Sequence, residues 1–436
     1  MKNALPGAHN ILKKQFSNGV TVLVHENPWS TSASFTGSLA AGFCLDPADK
    51  PGLSAFVSAS LTAGTRSRNF EQINEFLENI GAVLSFKSTS HVIKFSGNCL
   101  CDDLTGVLKL LREMLDEPAF PEQYMEVLKQ LSLGGYDPEA DEQLPVSYKY
   151  FKETLWGEDH PYGRVKSVSS ELIRSFTRDD LVDFHKRFFG PKDLIISLSG
   201  GFRGQEIMDR CEEIFGSWKK PQEAVDEDEL FPEVIGEDCP VRVHLQCDFQ
   251  KEICFTMGSF GPAMSDPDNL SFRLGSIILG EFAGSGRIGR IVREKNGLAY
   301  SAYSYMESWK KGGCWSINAG CDPANLPDAV RLIYGELRRF VTEPVSPQEL
   351  TDVKNWYIGS LPLEFGTNAG MASMIHSLAY YQRDLDHWLR IPEIIEKINP
   401  EMILQTAQKW IDPKKLVITT TGPWDNMPDP DIWRFH

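Results

Sequence analysis

The sequence predicts an α+β protein of two homologous α/β halves, each a mostly antiparallel sheet flanked by helices. Three observations carry that prediction. Strand-like runs cluster as hairpins and runs of helical spacing flank them, which favours α+β over a parallel doubly wound sheet. The chain has 436 residues, more than one core usually serves. The chain also repeats itself. Residues 188–200 (FFGPKDLIISLSG) and 410–422 (WIDPKKLVITTTG) each read as a helix end, a Pro-Lys turn, an apolar strand and a glycine, at an offset of 222. Asp46-Pro47 and Asp266-Pro267, Phe35-Thr36 and Phe255-Thr256, Asn98 and Asn318, and Cys101-Asp102 and Cys321-Asp322 all match at 220. Several coincidences near one offset argue for a duplicated unit.

The elements follow in order. Residues 20–24 (VTVLV) form a strand after the turn Ser17-Asn18-Gly19. Leu53, Phe56, Val57 and Leu61 recur at helical spacing. Phe70, Ile73, Phe76, Leu77 and Ile80 do so too, and Gly81 is placed to cap that helix at its C-terminus. Strands at 82–88 and 91–98 and a helix at 104–115 follow. The last strand, 416–420, is short, apolar and bounded by Pro413 and Gly422. The halves are expected at 1–218 and 240–436. Between them 219–239 carries Asp226-Glu227-Asp228-Glu229, has little apolar periodicity and reads as an exposed acidic linker.

Composition narrows the function. The chain is 42% hydrophobic and 24% charged, as soluble globular proteins are. A net charge of -16 disfavours nucleic acid and anionic membranes and is compatible with basic peptide ligands. No apolar run is long enough to span a bilayer. The N-terminus shows no signal core and no Arg/Ser-rich presequence, and nine cysteines without a CxxC read as reduced thiols, so a cytoplasmic location is expected. Cys99-Leu100-Cys101 reads as strand packing. The nine histidines form no HxxxH or HxxEH pair. His160 reads as a loop histidine bonded locally, and His185 and His376 as satisfied residues of apolar helices. No Ser/His/Asp or Cys/His constellation stands out. Residues 284–289 (GSGRIG) have GxGxxG spacing but follow an apolar helix at 272–282 rather than a strand, which argues against a nucleotide site.

Residues 52–65 (GLSAFVSASLTAGT) resemble the zinc-site helix of the pitrilysin/insulysin superfamily, in its mitochondrial-processing-peptidase-like branch. Members carry an inverted His-x-x-Glu-His motif there. The flanking Gly52-Leu53 and Gly64-Thr65 are in place. Residues 156–163 (WGEDHPYG) and 284–300 are also similar to that family, and the resemblance spans nearly the whole chain. It implies that the two halves form a clamshell.

The departure from the motif matters more. Ala55 stands at the first histidine ligand, Ser58 at the general-base glutamate and Ala59 at the second histidine. Zinc needs about three protein ligands and an open position for water. Alanine offers no lone pair, and serine is a poor base. The third family ligand is a glutamate on a later helix. Counting from Asp137-Pro138 puts Gln130 near that place, with Glu122 and Glu126 nearby. The zinc site is therefore expected to be absent, with no cofactor on this chain.

What is retained lies in the second half. Arg287, Arg290 and Arg293 recur every three residues along a short helix that Gly297 stops, and a strand at 298–305 follows. In active relatives an arginine and a tyrosine at this spacing reach the zinc site of the opposite half or subunit. The resemblance carries those roles onto Arg293 and Tyr300. A phenol O–H suits an oxyanion, and a guanidinium suits a substrate carbonyl. The plainer alternative is an arginine that favours a helix C-terminus and a tyrosine that packs in a sheet. The function expected is a non-catalytic partner subunit of a heterodimeric zinc metallopeptidase. It would pair with a homologous zinc-bearing subunit, act on peptide or unfolded polypeptide, and be inactive alone. The alternative is an inert scaffold or peptide-binding protein acting as a homodimer.

Overall fold

The computed structural model describes residues 5–134, 146–164, 170–223, 226–234, 241–247, 250–281, 286–423 and 429–434. The first part of the chain runs β1 (Ile11–Gln15), β2 (Thr21–Glu26), β3 (Ser32–Leu39), α1 (Leu53–Ser60), α2 (Phe70–Asn79), β4 (Val83–Ser88), β5 (Ile93–Leu100), α3 (Leu104–Asp116), α4 (Glu122–Gly134), α5 (Val146–Trp156), α6 (Ser170–Ser175), α7 (Arg178–Phe188), β6 (Ile195–Gly200) and α8 (Gly204–Phe215). The rest runs α9 (Glu227–Leu230), β7 (Val241–Gln246), β8 (Ile253–Gly261), α10 (Asn269–Ser276), α11 (Arg287–Gly289), β9 (Ala299–Ser308), β10 (Gly313–Cys321), α12 (Leu326–Thr342), α13 (Pro347–Glu364), α14 (Asn368–Tyr380), α15 (His387–Lys397), α16 (Pro400–Trp410) and β11 (Val417–Gly422). Among the described residues no helix is long and apolar enough to cross a membrane.

The expected α+β architecture with two sheets is present. The first sheet has the order β1-β2-β6-β3-β5-β4 and the second β7-β11-β8-β10-β9. Each contains one parallel pair, β2 with β6 and β7 with β11, and is otherwise antiparallel. In the first, Val22, Val24, Phe35, Phe95, Ile196 and Leu198 pack on the apolar stripes of α1, α3, α7 and α8. α2 starts on a capping box, with Asn69 and Gln72 satisfying each other's backbone N–H, and Gly81 after it takes φ +61°, a left-handed value glycine adopts at little cost.

The repeat holds in detail and slips once. Asn98 accepts from Ser34 Oγ at 2.6 Å, and Asn318 from Thr256 Oγ1 at 2.9 Å. The strand registers pair Ser34 with Asn98 but Thr256 with Asn318. Phe35-Thr36 therefore does not correspond to Phe255-Thr256; by register the equivalent of Phe255-Thr256 is Ala33-Ser34.

The chain forms two compact units that cut across the linear halves. One is Met1–Asp137, Ser167–Leu230 and Ser360–Arg390; the other is Pro138–Lys166, Phe231–Gly359 and Ile391–His436. A contiguous division at 1–218 and 240–436 misses this exchange of helices. In the second unit α5, from the first half of the sequence, lies on β8 and β11; in the first unit α14, from the second half, lies on β3 and β6. The sheet faces beneath these helices carry buried hydroxyls as well as alkyl groups, and buried polar groups need partners. Thr419 Oγ1 donates to the Ser147 carbonyl at 2.6 Å, and His376 Nε2 meets Ser38 Oγ at 2.8 Å.

The stretch read as an exposed linker is also less free than its composition suggests. Trp218 just before it is buried, Arg187 pairs with Glu223, and Gln222 donates to the Phe188 carbonyl. Phe231 is buried in an aromatic cluster with His160 and Tyr162. Apolar side chains within a charged stretch hold it down. Residues 224–225 and 235–240 lie outside the described residues.

Candidate functional site

Helix α1, which carries Ala55, Ser58 and Ala59, is built firmly. Asp46, itself buried, accepts from the backbone N–H of Gly52 at 2.8 Å and of Ser54 at 2.7 Å, so a carboxylate caps the helix N-terminus from the preceding loop. Ser54 Oγ meets Ser88 Oγ at 2.9 Å and ties α1 to β4. Ala55 and Ala59 face solvent, one turn apart. Ser58 does not join them. It is 3% exposed, and its hydroxyl donates to the Ala55 carbonyl at 2.8 Å. The serine turns inward and satisfies its hydroxyl on its own helix.

Gln130 on α4 is exposed. Glu126, one turn earlier, pairs with Lys129 at 2.8 Å. Asp137-Pro138, from which the position of Gln130 was counted, lies outside the described residues. The residues present do not fit a zinc ion. Two methyl groups have no donor electrons, the one hydroxyl is engaged, and a neutral amide is a weak substitute for a carboxylate. No group of three or more His, Cys, Asp or Glu side chains is placed to hold a metal among the described residues.

The three histidines singled out by sequence are accounted for by packing. His160 stacks on Trp156 at 4.7 Å and accepts from the Tyr162 N–H at 3.1 Å; burial and then Arg164 lower its pKa to about 4. His185 Nε2 sits 2.9 Å from the Leu115 carbonyl, and burial lowers its pKa to about 4. His376 is nearly sealed, with its pKa pushed down to about 3 by burial.

In the second unit the arginine-tyrosine segment has an unusual backbone. Residues Ile277–Glu281 and Arg290–Glu294 are both π-helical, a form that often marks functional sites. Residues 282–285 between them, including Gly284 and Ser285 of the glycine-rich run, lie outside the described residues. Arg287 anchors the segment. Its side chain is 9% exposed, and it grips Glu349 of α13 through two bonds of 2.8 Å. That guanidinium lowers the Glu349 pKa to about 2.

Gly297, with φ +60°, ends the turn, and β9 begins at Ala299. The β9–β10 register then shifts: Gly320 pairs with Ser301 but Cys321 with Ala299, so Tyr300 is the extra residue of a β-bulge. Bulges re-aim side chains, and Tyr300 is 82% exposed at a position that regular alternation would place against its neighbours. The Arg293 guanidinium lies 6.0 Å from the centre of its ring. Arg293 also approaches Glu294 at 3.4 Å and is half exposed. The sequence did not reveal the Arg287–Glu349 clamp or the Asp46 cap, although the repeated Asp46-Pro47 and Asp266-Pro267 marked the latter's loop.

Residues 21–144 match the insulinase family (peptidase family M16), and residues 175–356 match the peptidase M16 inactive domain. The chain belongs to the pitrilysin superfamily of peptidase family M16. Within it the chain stands in the inactive branch, and its sequence holds no His-x-x-Glu-His motif. It is 23% identical over 409 residues to an uncharacterized zinc protease of Rickettsia felis, covering 91% of this chain and 93% of that protein. It is 22% identical to the mitochondrial-processing peptidase subunit beta of Bos taurus, covering 87% of this chain and 77% of the relative. It is also 22% identical to the mitochondrial cytochrome b-c1 complex subunit 1 of Rattus norvegicus, covering 84% and 77%. The fold matches the crystal structure of a peptidase M16 inactive domain from Pseudomonas fluorescens with a TM-score of 0.84 at 21% identity, over 95% of this chain and 98% of that one.

Proposed function

We infer that this chain is the non-catalytic partner subunit of a zinc metallopeptidase. It has no activity alone and gives Arg293 and Tyr300 to the zinc site of a homologous subunit. One observation carries the reading: the donors for zinc are gone from α1, while Tyr300 is thrust out by a bulge beside Arg293. A tyrosine kept only for packing would lie in the sheet. On the partner, zinc would supply the activated water. This chain's share is a phenol O–H aimed at the oxygen that becomes negative on the scissile carbon and a guanidinium held to a substrate carbonyl. The substrate is a peptide or unfolded polypeptide, extended along an edge strand of the catalytic subunit. Among the described residues eight cysteines are held in no disulfide, which fits a reducing compartment, the cytoplasm.

The test is co-expression with a zinc-bearing homologue from the same cell and a peptide-cleavage assay. Tyr300→Phe removes one hydroxyl and should lower kcat about 10²–10³-fold, the usual effect of deleting one oxyanion donor. An unchanged rate ends the catalytic assignment.

A second reading is favoured by the likeness to the cytochrome b-c1 subunit: an inert scaffold or peptide-binding protein that acts as a homodimer. It predicts a stable homodimer, no association with a zinc-bearing homologue, and no consequence of changing Arg293 or Tyr300.

A further inference from the structure

In the first unit α14 covers β2, β6 and β3, while β5 and the edge strand β4 extend beyond it. Side chains alternate across a strand, so Val83, Ser85 and Lys87 of β4 share one face with Lys94, Ser96, Asn98 and Leu100 of β5. All seven are exposed. The face has an internal order. Lys87 and Lys94 stand directly opposite each other at one end. Ser85 and Ser96 are bonded at 3.0 Å in the middle. Val83 and Leu100, exposed by 58% and 53%, form the other end.

Like charges directly opposite on neighbouring strands destabilise a sheet. Such pairs are normally relieved by a carboxylate. Neither lysine has an ion-pair partner among the described residues. Partial desolvation of its ammonium, although the residue as a whole is exposed, and then Lys87 hold Lys94 below the usual lysine range, and the buried His376 lies within its field. The chain is strongly acidic overall, with 60 Asp and Glu against 44 Lys and Arg. Two facing, uncompensated lysines are therefore a local exception, and local exceptions to folding rules gather at functional sites.

We propose that this face of β4 and β5 binds an extended peptide carrying an acidic side chain and, four positions away, an apolar one. The spacing follows from the strand. Val83 and Lys87 are four residues apart, roughly 13 Å at about 3.3 Å per residue, the span that two side chains on one face of an extended peptide cover in the same number of residues. The carboxylate lies between Lys87 and Lys94, and the apolar group rests on Val83 and Leu100. The proposal stands whether or not the chain assists a zinc subunit. The plainer explanation is that the lysines guard an edge strand against self-association.

The experiment uses the full chain and a fluorescein-labelled eight-residue peptide with a glutamate and a leucine four positions apart, followed by anisotropy at low salt. Saturable binding is expected. Lys87→Gln and Lys94→Gln should each weaken it about fivefold while raising Tm, because each relieves the repulsion. Changing the peptide glutamate to glutamine should weaken binding by the same factor, and added salt should as well. Three results overturn the proposal: no saturable binding to the wild type; unchanged affinity in both variants, with self-association as their only effect; or displacement of the peptide by phosphatidylserine vesicles, which would make the face a general anion patch.

Discussion

The Arg287–Glu349 clamp holds the segment that presents Arg293, and its strength can be measured. Glu349→Gln keeps the shape of the side chain and an acceptor for the Ser346 N–H, which the carboxylate now takes at 2.9 Å. It removes the charge. The difference between a pKa of about 2 and the usual 4.5 is worth at most about 3.5 kcal/mol, at about 1.4 kcal/mol per pH unit. The Glu349 side chain is 27% exposed, so solvent screening reduces this to about 1–2 kcal/mol. The sign follows from the lowered value. The stabilisation is complete above pH 4.5 and is lost as pH falls through the folded-state value near 2. Urea titrations of wild type and variant should therefore differ by about 1–2 kcal/mol at pH 6, and the gap should narrow by roughly half at pH 3.5. Comparing the two proteins at each pH cancels the titration of every other group. A gap that is absent at pH 6, or that does not change with pH, refutes the clamp.

Three further outcomes are expected. His160, His185, His376 and His387 all have pKa values lowered to about 3–4, mainly by burial; neutral in the fold and protonated when unfolded, they should make stability fall steeply from about pH 6.5 toward pH 4, and His376→Gln should flatten that slope in pH-dependent melting curves. Asp46→Ala should cost about 1–2 kcal/mol and speed amide exchange at Gly52 and Ser54 before the rest of α1, as loss of a helix cap does. Ala55→His with Ala59→His puts two imidazoles one turn apart on an exposed helix face, and the doubly substituted chain should take up zinc in equilibrium dialysis where the wild type does not; equal uptake by both would mean that the missing donors are not what this helix lacks.

The elements legible in the sequence were those whose cause is local. Gly81 announces the end of α2, and Ile73 and Leu77 its buried side. Arg293 and Tyr300 were singled out only through the resemblance to the pitrilysin superfamily. What was not legible depends on partners distant in the chain. Ser58 lies close in sequence to Ala59, yet it is buried, with its hydroxyl bonded to the Ala55 carbonyl on the preceding turn. Tyr300 reads as an ordinary strand residue until the register with β10 supplies the bulge. The exchange of α5 and α14 left only a faint trace, the Ser, Thr and Asn content of strands that alternation would have paired with an apolar helix. Arg287 looked like one of three equivalent arginines; only the position of Glu349, far along the chain, sets it apart.

That exchange bears on how the molecule tolerates a broken backbone. A nick in the acidic stretch near residue 226 would yield two fragments, each lacking the helix that belongs over its own sheet and carrying the one meant for the other. Neither piece could mature separately; each would be an unfinished template waiting for its counterpart. The two stretches of polypeptide are thus obliged to fold as a single event, although their sequences read as two copies of one design.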